Sequence, residues 1–152
     1  MTICVKLAPD AFDPAAELAD LVADADADGA VVSFVGVARA QSKDGAAVEQ
    51  LVLEQHPTLT LRSIEDIAVA AAERFAVSHV RVVHRCGAIP AGAPIVFAAA
   101  SSPHRRAAFE CADYLMDRLK TEAVLWKREI GGHGSRWIEP TDADYADAGR
   151  WG

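Results

Sequence analysis

The chain has little cysteine, few aromatic residues and no long apolar run. Its three cysteines are widely spaced and form no CxxC pair, which argues against a zinc site or a disulfide framework and favours the reducing cytoplasm. Asp or Arg interrupts every apolar stretch before about 18 residues, and residues 1–10 lack the pattern of a signal peptide, so no membrane span is expected. No GxGxxG or Walker motif is present, so no nucleotide-binding loop is indicated.

Basic residues are also scarce, and they are unevenly placed. Fifteen Lys and Arg face 22 Asp and Glu, a formal net charge of −7, which argues against a nucleic-acid binder. Residues 1–33 hold one base and seven acids, whereas residues 104–136 hold seven bases and five acids. An acidic protein therefore concentrates its cations in one stretch, as a local basic pocket requires.

The length and composition indicate one folded domain, residues 1–152. A chain of 152 residues is long enough for a real core, and 51% of its residues are hydrophobic. Alanine supplies 31 residues and aromatics only 7%, so small and aliphatic side chains should build that core.

Hydrophobic periodicity predicts an α+β fold. Apolar and β-branched runs predict strands at 2–7, 30–38, 48–55, 79–86, 95–100, 124–130 and 136–138. Caps and 3.6-residue stripes predict helices over 14–28, 60–75, 103–119 and 141–149. Residues 40–47, 87–94 and 131–134 are predicted to be loops or turns. Because strands occur singly or in pairs between helices, we expect helices to cover one face of a sheet.

The segment 101–106, SSPHRR, lies where a buried strand passes into a helix. The predicted helix start has Ser102 as N-cap and Pro103 as its first residue. Unpaired N–H groups there attract anions, yet the first turn carries His104, Arg105 and Arg106 rather than acids. The pattern predicts an anion site, with phosphate as the natural ligand for arginine. The alternative is that the arginines point to solvent or pair with carboxylates elsewhere.

Two lysines follow. Lys120 ends the predicted helix, where a lysine also serves as a partner of the helix dipole. Strand alternation places Lys127 on one face with Leu125 and Glu129, which indicates partial burial and a lowered pKa suited to acid–base chemistry. The alternative is a lysine whose stem covers apolar surface. Arg39 ends another strand and opens onto a loop, a common ligand position.

Helix geometry separates two of these candidates. His104 and Lys120 lie 16 residues apart, which is roughly 24 Å along one continuous helix. One subunit cannot bring both to a small substrate, so there are either two sites or a two-fold dimer with composite pockets. We favour the dimer.

Six segments occur in an order and spacing typical of one family: 29–39 (GAVVSFVGVAR), 53–54 (LE), 83–87 (VHRCG), 101–105 (SSPHR), 119–121 (LKT) and 126–129 (WKRE). Over about residues 3–150 the chain resembles the large, catalytic subunit of molybdopterin synthase. The resemblance implies an α/β hammerhead fold with a small additional β subdomain. It also implies a homodimer at the centre of a 2+2 heterotetramer, with a small ubiquitin-like subunit at each end.

The reaction that the resemblance implies is sulfur transfer. The small subunit carries a C-terminal Gly-Gly thiocarboxylate, and two sulfurs pass to cyclic pyranopterin monophosphate to make molybdopterin. No metal or cofactor is implied. The resemblance assigns Lys120 and Lys127 as catalytic lysines. It places these residues at the substrate: Val37, Ala38, Arg39, His104, Arg105, Lys120, Lys127, Arg128 and Glu129.

The sequence departs from the family pattern in its tail. Family members often have a basic residue near position 141, where this chain has Thr141 followed by Asp142 and Asp144. Arg136 is the cation that could take its place. Two other functions stay open: a non-catalytic dimer of the same fold that binds an anion or pterin, and an enzyme that forms a Schiff base through Lys127.

Overall fold

Two four-stranded sheets form the framework of the computed structural model, which describes residues 1–132 and 134–152. The strands are β1 (Thr2–Ala8), β2 (Ala30–Val37), β3 (Gln50–Gln55), β4 (His79–Arg85), β5 (Gly87–Pro90), β6 (Pro94–Ser102), β7 (Leu125–Gly131) and β8 (Gly134–Ile138). The helices are α1 (Pro14–Asp24), α2 (Leu59–Arg74), α3 (Arg105–Glu122) and α4 (Asp142–Gly149). The α+β class is confirmed. The glycine-rich turn predicted at 131–134 includes His133, which lies outside the described residues.

The first sheet has the order β1-β4-β6-β2, with β1 parallel to β4 and the other pairs antiparallel. On one face, side chains such as Val82 and Ala98 pack against α2 and α3. On the other, Val83 and Phe97 pack against Leu21 of α1. The prediction that helices cover only one face is therefore wrong, because β4 and β6 are apolar on both sides of the pleat.

The second sheet has the order β5-β3-β7-β8 and is the small additional β subdomain. Residues 87–90 were predicted as a turn, but they form β5 and pair with β3 from Gln50↔Pro90 to Leu53↔Gly87. The segment begins with glycine and ends with proline, which is a pattern typical of a turn, so the sequence did not predict the strand. The fully buried side chain of Ile89 stabilises it.

The start of α3 also differs from the prediction. Ser102 belongs to β6, and the helix begins at Arg105 with His104 as its N-cap residue, whose side chain makes no capping hydrogen bond. The Ser102 hydroxyl instead donates to the carbonyl of Ala76 (2.8 Å) and accepts the His104 N–H (3.3 Å). Ser102 therefore fixes the turn that precedes α3 rather than capping the helix.

The C-terminal helix α4 packs on α3. Asp117 of α3 accepts hydrogen bonds from Arg150 (2.8 Å) and from the indole N–H of Trp151 (2.7 Å). The Trp151 ring packs edge-on against Phe75 and Tyr114, with ring centroids 5.6 and 5.5 Å away. These contacts hold the tail against the C-terminal half of α3.

None of the described helices is long and apolar enough to cross a membrane.

Candidate functional site: a lysine pair and a cationic helix start

Lys127 lies on the inner face of the second sheet. In the register it is opposite Leu53 on β3 and Ile138 on β8, so these three side chains share one face. Leu53 is only 1% exposed, and Lys127 is half-buried beside it. The alternation predicted from the sequence therefore places the amine against apolar surface.

The surroundings of Lys127 favour its neutral form. Burial lowers its pKa, and the charge of Lys120 lowers it further, whereas Asp144 opposes both effects. His84 is close enough for the charge of Lys127 to act on it. Burial, together with that charge, lowers the pKa of His84 to about 4, although a hydrogen bond to the carbonyl of Arg85 opposes the shift. Near pH 7 the imidazole is therefore neutral and adds no charge to the site.

Lys120 lies in the last turn of α3, and its side chain is 47% exposed. Its Nζ lies 3.7 Å from Oδ1 of Asp144 in α4. The two lysines thus differ in environment: Lys120 has a carboxylate partner, whereas Lys127 makes no ion pair among the residues described by the structure. Lys120 is nevertheless close enough to Lys127 for its charge to lower the pKa of that amine.

The start of α3 forms a second, separate cluster of basic residues. His104, Arg105 and Arg106 are exposed and line a surface cavity of about 570 Å³ with Pro103 and Phe109. None of the three cations makes an ion pair within residues 1–132 and 134–152, so the alternative of pairing with a carboxylate finds no support there. Gly29 also lines this cavity, and a Cβ on it would approach the carbonyl oxygen of Pro103 to 2.8 Å.

Residues 37–39 run past the edge of the second sheet. Val37 is exposed, whereas Ala38 is buried against Leu53 and Ile89. Arg39, which follows, is exposed. Ala38, which precedes Arg39, therefore contacts Leu53 of β3, the residue that is paired with Lys127 of β7.

The structure does not bring Arg128 to the lysine pair. Its side chain lies on the outer face of the sheet, where it approaches Glu54 (3.5 Å) and stacks over Trp137. Its place at the substrate stays a prediction.

Glu129 shares the face of Lys127, and its carboxylate lies 3.5 Å from Nε of Arg136. Arg136 in turn donates two hydrogen bonds, of 2.9 and 3.0 Å, to Asp44. The cation that could replace the family's basic tail residue is therefore already paired within its own subunit.

Two neighbours of the lysines were not among the predicted site residues. His84 lies in the family segment 83–87 without an assigned role, and Asp144 was predicted only as a departure from the family pattern. The signal for Asp144 is present in Thr141-x-x-Asp144, a capping-box spacing that predicts an oriented carboxylate at a helix start. No local pattern predicts that Lys127 acts on His84, because β4 and β7 belong to different sheets.

A lysine pair beside an apolar face, together with exposed cations at a helix start, defines an α+β protein suited to act on an anionic small molecule. No group of three or more His, Cys, Asp or Glu side chains that could hold a metal occurs in the part of the chain that the structure describes.

Comparison with known proteins identifies the family. The MoaE protein family matches residues 7–122. The molybdopterin synthase catalytic subunit of Caulobacter vibrioides is 46% identical over 147 residues, which cover 97% of this chain and 96% of the relative. This chain belongs to the MoaE family.

Solved structures share the fold. The molybdopterin biosynthesis MoaE protein of Burkholderia ambifaria superposes with a TM-score of 0.81 at 36% identity, covering 98% of this chain and 97% of that one. A Helicobacter pylori structure, a complex of subunits 1 and 2 of molybdopterin-converting factor, gives a TM-score of 0.71 at 20% identity, covering 91% and 90%. At that identity the likeness shows the fold alone.

Proposed function

We propose that this chain is the catalytic subunit of a molybdopterin synthase. In this function it transfers two sulfurs from the thiocarboxylated C-terminus of a small ubiquitin-like subunit to cyclic pyranopterin monophosphate, making molybdopterin. The observation that carries the proposal is the pair Lys120 and Lys127, one paired with a carboxylate and one half-buried with a lowered pKa, in a chain of this family.

The two lysines suit different parts of the chemistry. Sulfur transfer from an acyl donor requires stabilisation of the charge that develops on the carbonyl oxygen, which the ammonium of Lys120 supplies. Opening of the cyclic phosphate and loss of water require proton transfer. Lys127 is suited to that task because its lowered pKa makes its amine easier to deprotonate than that of an ordinary lysine.

The cysteines support a sulfur donor outside this chain. Burial raises the pKa of the Cys86 thiol, and it raises that of Cys111 to about 12. Both shifts disfavour the thiolate that a sulfur-carrying nucleophile needs. A thiocarboxylate brought by a partner subunit removes that need. All three cysteines are free, and we place the activity in the cytoplasm.

The substrate's phosphate suits the cations of Arg39, His104 and Arg105. His104 and Lys120 lie at opposite ends of α3, about 24 Å apart at 1.5 Å per residue, so they belong to different pockets of one chain. We therefore place the site between two copies, where the α3 start of one copy faces the lysine pair of the other. This arrangement is the homodimeric core of the 2+2 assembly.

The test is reconstitution with defined components. The chain is mixed with thiocarboxylated small subunit and cyclic pyranopterin monophosphate, and the dithiolene product is measured. Lys127→Ala should lower the rate about 100-fold or more, because proton transfer is lost. Lys6→Ala is the matched control, since Lys6 is a surface lysine paired with Glu17. No product from the wild-type chain would refute the proposal.

The same variants separate catalysis from mere binding. A non-catalytic pterin-binding dimer should keep its affinity when both Lys120 and Lys127 are replaced by Ala, and it should show no turnover to lose. Turnover that disappears in the double variant, with substrate affinity still measurable, excludes that alternative.

A further inference from the structure

The carboxylate of Asp144 is held between a helix cap and the lysine pair. Its Oδ2 accepts the Thr141 N–H at 2.8 Å, and its own N–H donates to the Thr141 hydroxyl at 3.1 Å. Its Oδ1 is the atom that lies 3.7 Å from Nζ of Lys120. The capping box therefore fixes Oδ2 of Asp144 on the backbone of Thr141 and leaves Oδ1 available to Lys120.

The helix that carries Asp144 is anchored to the helix that carries Lys120. Arg150 and Trp151, at the end of α4, both donate to Asp117, which lies one helical turn before Lys120. The Asp144 side chain is 21% exposed. The contact between Asp144 and Lys120 thus joins two elements that are fixed to each other by independent bonds.

Charges from several elements meet at this place. Lys127 interacts electrostatically with three groups on three other elements: Lys120 of α3, Asp144 of α4 and His84 of β4, whose imidazole is neutral. Lys43, from the loop before β3, acts on Asp144. Glu129 shares the strand face of Lys127 but is engaged by Arg136. Asp144 is therefore the carboxylate that offsets the two lysine charges.

We propose that Asp144 is a positioning residue of the lysine site: its carboxylate holds the Lys120 ammonium beside Lys127 and offsets the repulsion between the two. The inference rests on the proposed function for the roles of the lysines, but the contact can be measured without turnover. Burial favours the protonated carboxyl, yet the Thr141 hydrogen bonds and the charges of Lys120 and Lys43 lower the pKa of Asp144. The carboxylate is therefore ionised near neutral pH.

The chain offers a simple measurement, because it contains only four lysines, Lys6, Lys43, Lys120 and Lys127. Lysines labelled with ¹³C at the ε position can be assigned by single substitutions and titrated by NMR. Asp144→Asn keeps an oxygen for the cap but removes the charge, so it should lower the pKa of Lys127 by about half a pH unit. It should also increase the mobility of the Lys120 ε-carbon in relaxation measurements.

Two variants make the result specific. Asp144→Glu keeps both the charge and a capping-box residue, and should titrate like the wild type. Asp142→Asn removes the same charge from an exposed residue of the same helical turn, and should leave both lysines unchanged. An equal effect of Asp142→Asn, or no effect of Asp144→Asn on either lysine, would overturn the proposal.

Turnover provides the second readout. In the reconstituted enzyme, Asp144→Asn should shift the acidic limb of the kcat/KM profile to lower pH by the same half unit, and Asp144→Glu should restore it. A chain that makes no dithiolene but shows the NMR shift would refute the proposed function and support the contact. Turnover whose pH profile is unaffected by Asp144→Asn, with no NMR shift, would refute the contact and keep the function.

Discussion

At the residue scale, two basic side chains have pKa values that their surroundings lower. Lys127 is half-buried beside Leu53, and His84 is 5% exposed beneath the same site. Burial is the largest cause of both shifts, and the charge of Lys127 lowers the pKa of His84 further, as that of Lys120 does the pKa of Lys127. Desolvation thus favours the neutral form of both side chains, and the lowered pKa of His84 makes the folded protein less stable in acid.

The His84 imidazole predicts a defined acid sensitivity. Its pKa is about 4 in the folded protein against an ordinary 6.5, so the unfolded chain binds more protons between these values. The contribution of neutral His84 to the free energy of unfolding is therefore fully present above pH 6.5. It is lost as the pH falls towards 4, which lowers the free energy of unfolding by about 3 kcal/mol in all. Urea unfolding at a series of pH values measures it.

The variant His84→Asn keeps an N–H donor for the Arg85 carbonyl but does not titrate. Its free energy of unfolding should be lower than that of the wild type near neutral pH because the side chain is smaller, yet the extra loss between pH 6.5 and 4 should disappear. The same acid-dependent loss in the wild type and in His84→Asn would contradict this origin.

The face on which Lys127 lies could be predicted from the sequence, whereas its neighbours from distant parts of the chain could not. Alternation in 124–130 correctly placed Lys127 with Leu125 and Glu129, because strand periodicity depends only on neighbours in sequence. The same alternation put Arg128 on the outer face, where it lies. The contacts of Lys120 with Asp144 and of Lys127 with His84 join residues 24 and 43 positions apart. No local pattern encodes them.

At the element scale, cap signals predicted the start of α1 but not that of α3, and the four-residue strand β5 was missed. Asp13 caps α1 by accepting the Ala15 N–H at 3.0 Å, and Pro14 is the first helical residue, which agrees with the predicted start at 14; the helix ends at Asp24 rather than at 28. At α3 the same Ser-Pro signal failed, because pairing of β6 with β2 extends the strand through Ser102. The four-residue β5 exists only through its pairing with β3. Tertiary pairing overrides local turn chemistry at both places.

The docking of α4 on α3 depends on one aromatic side chain. Trp151→Ala removes the packing against Phe75 and Tyr114 as well as the hydrogen bond to Asp117, and should destabilise the protein by about 3 kcal/mol. Trp151→Phe keeps a ring and loses the N–H, so about 1 kcal/mol is expected. Hydrogen exchange should show faster opening of α4 in Trp151→Ala. Unchanged protection of 142–149 would show that α4 is held by other contacts.

At the scale of the whole molecule, α3 determines how the site can be assembled. The helix spans Arg105–Glu122, with the cationic cavity at its start and the lysine pair at its end. Strand β2, at the edge of the first sheet, exposes Phe34, Val35 and Val37, which are 43, 39 and 48% exposed, and Phe109 on α3 is 60% exposed. Exposed apolar residues of this kind are typical of surfaces that another chain covers.

A composite site between two copies has a quantitative consequence for mixed variants. In the proposed composite site, Arg105→Ala and Lys120→Ala should each inactivate both pockets of a homodimer. A heterodimer of the two has one pocket in which Lys120 of the first variant meets Arg105 of the second, and one pocket that lacks both. Random re-association makes half of the dimers heterodimers, so about a quarter of the wild-type dithiolene activity should return. Mixing Arg105→Ala with a doubly substituted Arg105→Ala, Lys120→Ala chain is the control and should restore nothing. If activity stays absent in verified heterodimers of the two single variants, the cations at the α3 start and the lysine pair do not serve one shared pocket.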